Sequence, residues 1–168
     1  MLSTLLKLNK SLIKLLEITV ILVIGFLVLD VLWGVFSRYV LKNQSPWTEE
    51  LATMLLIWVS LLGAAIGFIR KSHLGVDYFV NKLNLKKQVI GEIIVYLLIA
   101  FFASLAMIYG GTRLVILTLK LGQVSPAMQL KVGYVYLAVP ISGFFILIFS
   151  IETIIKNVFN LINKSNNK

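Results

Sequence analysis

The sequence has no cysteine, one histidine and few charged residues. Its 168 residues are 14% charged, against about 25% in a typical soluble domain. Without cysteine it forms no disulfide and no Cys-ligated zinc or iron–sulfur site. One histidine and 7 carboxylates exclude a His-rich metal site. Apolar residues make up 59% of the chain, so a soluble enzyme and a disordered tail are disfavoured and a small membrane protein is predicted.

Four long apolar runs dominate the sequence. They cover about residues 18–39, 47–69, 89–114 and 132–159. A helix needs about 20 mostly apolar residues to cross the hydrocarbon core. The runs are uniform and do not alternate with a period of two, so a membrane β-barrel is disfavoured. We therefore predict an all-α integral membrane protein, with residues 1–168 forming one membrane domain of four transmembrane helices.

The positive charges indicate an orientation. The net charge is +9, and most Lys and Arg residues lie in short gaps between apolar runs, so a nucleic-acid partner is not expected. One side of the predicted bundle carries eleven of these residues and the other carries five. The eleven are Lys7, Lys10, Lys14, Arg70, Lys71, Lys82, Lys86, Lys87, Lys156, Lys164 and Lys168; the five are Arg38, Lys42, Arg113, Lys120 and Lys131. Because cytoplasmic loops are enriched in Lys and Arg, both termini are predicted to be cytoplasmic.

Two segments have the pattern of helices that lie on the membrane surface. Residues 2–16 and 74–84 both place apolar side chains on one helical face and basic or polar ones elsewhere. This is typical of amphipathic helices that contact lipid at the cytoplasmic interface; a basic tail and an ordinary loop are the alternatives. The first run has no A-x-A-like cleavage site, because no alanine precedes Ala52, so it is interpreted as a retained helix. His73 and Asp77 are interpreted as an interfacial anchor and not as a catalytic pair.

Asp30 is the most costly residue for a membrane protein. A carboxylate at the bilayer centre costs about 2.5–3.5 kcal/mol on insertion scales, so it normally faces protein or water. One interpretation is a proton or cation site. The other, which we favour, is a helix-packing contact, with Arg113 or Ser104 as the partner. Glu17 suggests a small proton-coupled multidrug-type exporter as an alternative function, although its place at the start of the span indicates an interfacial residue.

Two segments resemble the beginning of a helix. Ser45 is a good N-cap and Pro46 suits the first helical position, while Glu49 and Glu50 follow where the helix dipole favours negative charge. Helix capping together with a subunit contact is the interpretation we favour over a cation site. Ser125-Pro126 repeats this pattern on the same side of the membrane.

Glycine and proline predict where helices pack or bend. Gly63 and Gly67 form a GxxxG motif, which lets another helix approach closely. Pro140 lies within the fourth apolar run, where it is expected to kink the helix. Gly122, Gly133 and Gly143 are expected to add flexibility around it, more as a packing device than as a gate.

The order of several short motifs resembles the small membrane subunit of TRAP transporters. The motifs run from about residue 30 to 145 and are Arg38-Tyr39-Val40, Pro46-Trp47-Thr48-Glu49-Glu50-Leu51, Trp58, Gly63, His73, Val76-Asp77, Gly122-Gln123-Val124-Ser125-Pro126-Ala127, Gly133-Tyr134-Val135-Tyr136 and Val139-Pro140-Ile141-Ser142-Gly143.

This resemblance implies a function. TRAP systems are bacterial inner-membrane importers of organic acids, in which a periplasmic binding protein captures the substrate and a large permease subunit carries the transport path and the sodium sites. The small subunit would be part of the scaffold, with no catalytic, substrate or metal site and no cofactor of its own. Because this sequence stops after the fourth run, a separate large subunit is expected. Sialic acid, towards which we lean slightly, and four-carbon dicarboxylates are the leading substrates.

The resemblance also implies roles for individual residues. Asp30, Arg38 and Arg113 would hold helices together. Gly63, Gly67 and Pro140 are predicted from their own patterns, and not from the resemblance, to pack helices or subunits. The binding protein would dock near Trp47, Glu49, Glu50 and the loop from Gln123 to Lys131. A membrane protein with a structural role and no transport function is a further alternative.

Overall fold

A computed structural model describes residues 2–43, 45–70 and 85–166, and the side-chain surroundings within 11–43, 45–70 and 88–159. Helix α1 is Leu2–Tyr39 and α2 is Pro46–Ile69. Helix α3, Leu85–Phe102, continues through a π-helical segment, Ala103–Gly110, into α4, Gly111–Lys120. A short helix α5, Val132–Tyr136, precedes α6, Ala138–Asn166. Within these ranges the chain is helical apart from turns and one isolated β-bridge.

The four predicted spans are confirmed. Helical stretches long and apolar enough to cross a membrane cover Ser11–Tyr39, Pro46–Ile69, Gln88–Lys120 and Val132–Phe159. The third is longer than the predicted 89–114, because the helix continues past Arg113 to Lys120. Backbone N–H and C=O groups in lipid must be hydrogen-bonded within the protein. The longer helix provides these bonds up to Lys120, where the loop begins.

The first predicted interfacial segment and the first span are one element. Residues 2–16 are helical, as expected, but α1 runs without a break from Leu2 to Tyr39. The second predicted interfacial segment, 74–84, lies outside the described residues, as do His73 and Asp77.

The described helices form a row. Helix α1 has close backbone neighbours only in α2; α2 also lies against α6, and α6 lies against α3 and the π-helical segment. The fourth span, in the middle of the row, has 33% of its apolar window buried, whereas the third span, at the edge, has 6%. Large apolar side chains are therefore exposed along the row, as suits helices that face lipid or another membrane subunit.

A small apolar cluster holds the first half of the row together. Leu16 and Val20 of α1 pack with Leu62 and Ala65 of α2, and Phe145 of α6 lies against the cluster. These side chains are buried between helices with almost no polar face, so the cluster sets which helices are neighbours.

The second half of the row depends on residues without bulky side chains. A Cβ atom added at Gly143 would lie 2.6 Å from Met107 Cβ, and one added at Gly111 would lie 2.9 Å from Val139 Cγ1. A Cβ at Gly133 would lie 2.6 Å from Leu119 Cγ. Gly133 and Gly143 therefore permit close helix contact, which differs from the flexibility expected of them.

The fourth run is interrupted at Leu137, three residues before Pro140. Helix α5 ends at Tyr136, Leu137 forms a turn, and α6 begins at Ala138. Pro140 thus lies in the first turn of α6, where its missing N–H is tolerated. Its ring would collide with the carbonyl four residues earlier in a continuous helix, which explains why the interruption falls at Leu137.

Candidate functional site

The start of α2 has the predicted position but a different cap. Ser45 is the N-cap residue and Pro46 is the first helical residue, but the Ser45 side chain makes no capping hydrogen bond. Instead, Thr48 Oγ1 donates a hydrogen bond of 2.8 Å to the Ser45 carbonyl oxygen. The side chains of Trp47 and Glu49 are exposed at this end of the row.

The loop between α4 and α5, residues 121–131, has a defined shape. The Ser125 N–H donates to the Leu130 carbonyl at 2.8 Å, and the Val132 N–H donates to the Gln123 carbonyl at 3.0 Å. Gly122 and Gln129 have positive φ angles of 62° and 55°. Gly122 lies just before the bridge between Val124 and Lys131, and Gln129 lies within the segment that this bridge closes. We call this hairpin-like segment the 121–131 loop.

Glu50 links α2 to this loop. Residues 126–128 form a turn and not the start of a helix, which corrects the reading of Ser125-Pro126 as a second helix N-terminus. The turn leaves the N–H groups of Ala127 and Met128 without a helical partner, as in the first turn of any helix. Glu50 accepts both, through Oε1 at 2.9 Å from Ala127 and Oε2 at 3.0 Å from Met128.

The residues predicted to dock the binding protein therefore differ in exposure and in the contacts they make. Trp47, Glu49, Gln123 and Lys131 are exposed at the loop end of the row, whereas Glu50 is half-buried and holds the 121–131 loop. Sequence spacing gave no indication of this contact, because 77 residues separate Glu50 from Ala127. The sequence did contain one indication of this contact. Ser125-Pro126 predicts a turn, and the N–H groups that follow such a turn need a hydrogen-bond acceptor.

A cleft of about 260 Å³ lies between α1 and α2 near the same end. Gly34 brings the helices together there, since a Cβ at this position would lie 3.2 Å from Thr48 Oγ1. Asp30 lines the cleft, is 6% exposed, and has no hydrogen-bond partner for either carboxylate oxygen among the described residues. Arg38 and Glu49 line the same cleft closer to the loop end.

The expected hydrogen bond from Asp30 to Arg113 or Ser104 is not formed. Ser104 Oγ donates to the Phe101 carbonyl oxygen at 2.9 Å, and Arg113 is exposed on α4. The physical reason is the order of the row, since α1 and the α3–α4 span lie at opposite edges of it. The sequence alone cannot tell which spans are neighbours.

The opposite end of the row is held by polar pairs. Glu17 Oε1 accepts hydrogen bonds of 2.9 and 2.6 Å from Arg70 Nε and Nη2, which joins α1 to the end of α2. Asn157 Nδ2 donates to Glu92 Oε2 at 2.8 Å, which joins α6 to α3. Glu17 is thus engaged with a guanidinium group, which gives no support to a proton-coupled exporter built on this residue.

Two features concern partners and ligands from outside the chain. Gly63 and Gly67 have nothing within 4 Å of an added Cβ, so their motif is not used for close packing within the described part of the chain. Among the same residues, no three acidic or histidine side chains group closely enough to hold a metal ion.

Comparison with known proteins gives a consistent result. A family model for the DctQ component of tripartite ATP-independent periplasmic transporters matches residues 27–160. A putative TRAP transporter small permease protein of Haemophilus influenzae is 30% identical over 146 residues, which are 87% of this chain and 89% of that protein.

Two further relatives align over shorter stretches. The sialic acid TRAP transporter small permease protein SiaQ of Vibrio cholerae is 32% identical over 92 residues, or 55% of this chain and 52% of that protein. The isethionate TRAP transporter permease protein DctMQ of Oleidesulfovibrio alaskensis is 32% identical over 96 residues, or 57% of this chain and 15% of that protein. The alignment thus spans about half of the first relative and a small part of the second.

The family match covers most of the chain and includes parts of all four spans. Together with the four apolar helices, it identifies a multi-pass membrane protein that is a component of a transporter and not an enzyme. The chain belongs to the DctQ-component family of tripartite ATP-independent periplasmic (TRAP) transporters and is a small permease subunit.

Proposed function

We propose that this small permease subunit braces the large permease subunit of a sodium-coupled TRAP importer of organic acids and helps to dock its periplasmic binding protein. The sodium ions and the substrate bind to the other subunits. The chain would lie in the bacterial inner membrane with both termini in the cytoplasm, which places the 121–131 loop on the periplasmic side.

The observation that carries this proposal is the single row of helices. Among the described helices, α1 and the α3–α4 span share no close backbone contact, so the row does not close into a bundle around a path. It also exposes apolar side chains that a membrane partner can cover. Few polar groups lie within the spans, which suits a supporting subunit better than a transport path. The names of the relatives agree, because DctMQ is called a permease protein and SiaQ a small permease protein.

The loop end supports the docking role. It presents Trp47, Glu49, Gln123 and Lys131 to water, and the Glu50 contacts fix the shape of the loop before a partner binds. A pre-formed polar surface loses less conformational freedom on binding than a disordered one. Charged side chains at the edge of such a surface would make docking sensitive to salt.

The proposal includes several organic acids as substrates. Two relatives at the same identity of 32% are named for sialic acid and for isethionate, so likeness of the small subunit does not select a substrate. Sialic acid and four-carbon dicarboxylates are the acids we would test first, with isethionate added from the relatives.

The docking role can be tested in liposomes that hold both membrane subunits. The variant Trp47→Ala with Lys131→Glu is expected to lower binding-protein-dependent, sodium-driven uptake several-fold while the two membrane subunits still copurify. Lys14→Glu is the control, because this exposed residue lies towards the opposite end of α1. Unchanged uptake by the double variant at low salt would contradict docking at this surface. Full uptake by the large subunit without this chain would contradict the bracing role.

A further inference from the structure

We propose that the cleft between α1 and α2 receives a lysine or arginine side chain from a helix of the large permease subunit, with Asp30 as its hydrogen-bond acceptor. The proposal rests on the proposed function, since it supplies a specific contact between the two membrane subunits. Neither the family match nor the names of the relatives assign a role to this residue.

The first observation is that Asp30 lacks a partner. Only 6% of the residue is exposed, and neither carboxylate oxygen accepts a hydrogen bond from the described residues. Aspartate is almost never fully buried unless it is paired, and lipid offers no water to replace the missing donor. The donor must then come from outside the described chain.

The other charged residues of the cleft lie too far along the helix axis to serve. Asp30, Gly34 and Arg38 are spaced at i, i+4 and i+8, so they share one face of α1. Arg38 follows Asp30 by eight positions, which correspond to a rise of about 12 Å, and the exposed Arg38 lies at the loop end. Gly34, between them, contributes no side chain to the cleft, and Thr48 of α2 lies close to it.

The charge and size of the cleft fit a cationic side chain. The cleft is lined by two carboxylates, Asp30 and Glu49, and by one guanidinium group, Arg38. When all three are ionised, the cleft has an excess of one negative charge. Its volume is about 260 Å³, whereas one water molecule occupies about 30 Å³ in the liquid. The cleft therefore has room for an extended side chain.

The depth of Asp30 favours a protein over a lipid headgroup. Asp30 lies nine residues before the end of α1 at Tyr39, which is about 13 Å along the helix axis. A headgroup would have to leave the interface to reach this level, but a helix of a neighbouring subunit can present a side chain at any depth. Helix α1 is also at the edge of the row, so a partner helix can approach it without displacing another described helix.

The experiment uses the chain coexpressed with its large permease subunit. Asp30→Asn keeps the shape of the side chain and removes its charge, and Glu17→Gln is the same change on the same helix, where the carboxylate is already paired with Arg70. We expect Asp30→Asn to lower the fraction of large subunit retained on the tagged chain about tenfold or more. Glu17→Gln should have little effect on retention. Both isolated variants should stay monodisperse and melt close to the parent chain.

A photo-crosslinking amino acid at Val31 or Val35, both in the cleft wall, identifies the occupant in native membranes. The expected adduct is a large-subunit peptide that contains a lysine or arginine. Changing that residue to aspartate together with Asp30→Lys should then restore retention.

Three results would overturn the proposal. They are adducts with lipid alone, full retention by Asp30→Asn, and an infrared signal showing that Asp30 is a protonated carboxylic acid in the intact complex. If the unaltered chain retained no large subunit, the proposed function itself would fail. If it retained the large subunit and Asp30→Asn did so equally well, only the cleft contact would fail.

Discussion

At the scale of single residues, Glu50 joins the start of α2 to a loop 77 positions later in the chain. Its carboxylate takes the place that an N-cap side chain normally occupies, because it accepts the N–H groups at the second and third positions of a turn. Hydrogen bonds to an ionised acceptor are stronger than those between neutral groups. One side chain of α2 therefore sets the position of the loop that we propose as a docking surface.

Glu50→Gln should loosen the 121–131 loop. The amide can accept one of the two hydrogen bonds but presents an NH₂ group where the other oxygen was. We expect the Ala127 and Met128 amides to exchange with deuterium about an order of magnitude faster. Hydrogen–deuterium exchange with mass spectrometry in detergent measures this. Glu152→Gln, at the opposite end, is the control and should leave these amides unchanged; equal protection in Glu50→Gln would show that the loop holds its shape without the carboxylate.

At the scale of the elements, two kinds of glycine occur in these helices. Gly143 lies where α6 meets the π-helical segment, and an added Cβ would meet Met107 Cβ at 2.6 Å. Gly63 has open space around an added Cβ. The first glycine serves the fold of this chain, whereas the second is available to a partner.

Gly143→Ala and Gly63→Ala should separate these roles. In the isolated chain, Gly143→Ala is expected to destabilise by about 1–3 kcal/mol through overpacking, because a Cβ atom cannot move without its backbone. Gly63→Ala should be neutral or stabilise by up to about 1 kcal/mol, since alanine is the better helix former. Unfolding by denaturant in detergent gives both values. Equal stability of the two variants would mean that α6 and the π-helical segment separate readily.

The elements also show what the sequence could and could not predict. The four spans were predictable because a long apolar run has few alternatives to a membrane helix. Pro140 indicated where the fourth run would be disturbed, but the sequence did not show that α6 would restart at Ala138 and place the proline in its first turn. Spacing along the chain does not say which helices are neighbours. Only the folded structure therefore shows the contact from Glu50 to the loop and the missing partner of Asp30.

At the scale of the whole molecule, the loop end and the opposite end are predicted to lie on different sides of the membrane. The absence of cysteine makes any introduced cysteine the single site for labelling. Gln123→Cys should react with a membrane-impermeant maleimide in intact spheroplasts, because the 121–131 loop is expected in the periplasm. Ser165→Cys should react only after lysis. Labelling of Ser165→Cys in sealed spheroplasts would place the C-terminus outside and reverse the proposed orientation.

The arrangement of the spans in a row has a mechanical consequence. A layer of helices one helix thick resists displacement of its helices within the plane of the layer. It bends more easily in the direction perpendicular to that plane. A neighbouring subunit that moves during transport would be steadied against displacement along the row and allowed to flex perpendicular to it. The direction in which the row is set against its partner would then decide which movements of the partner are free and which are restrained.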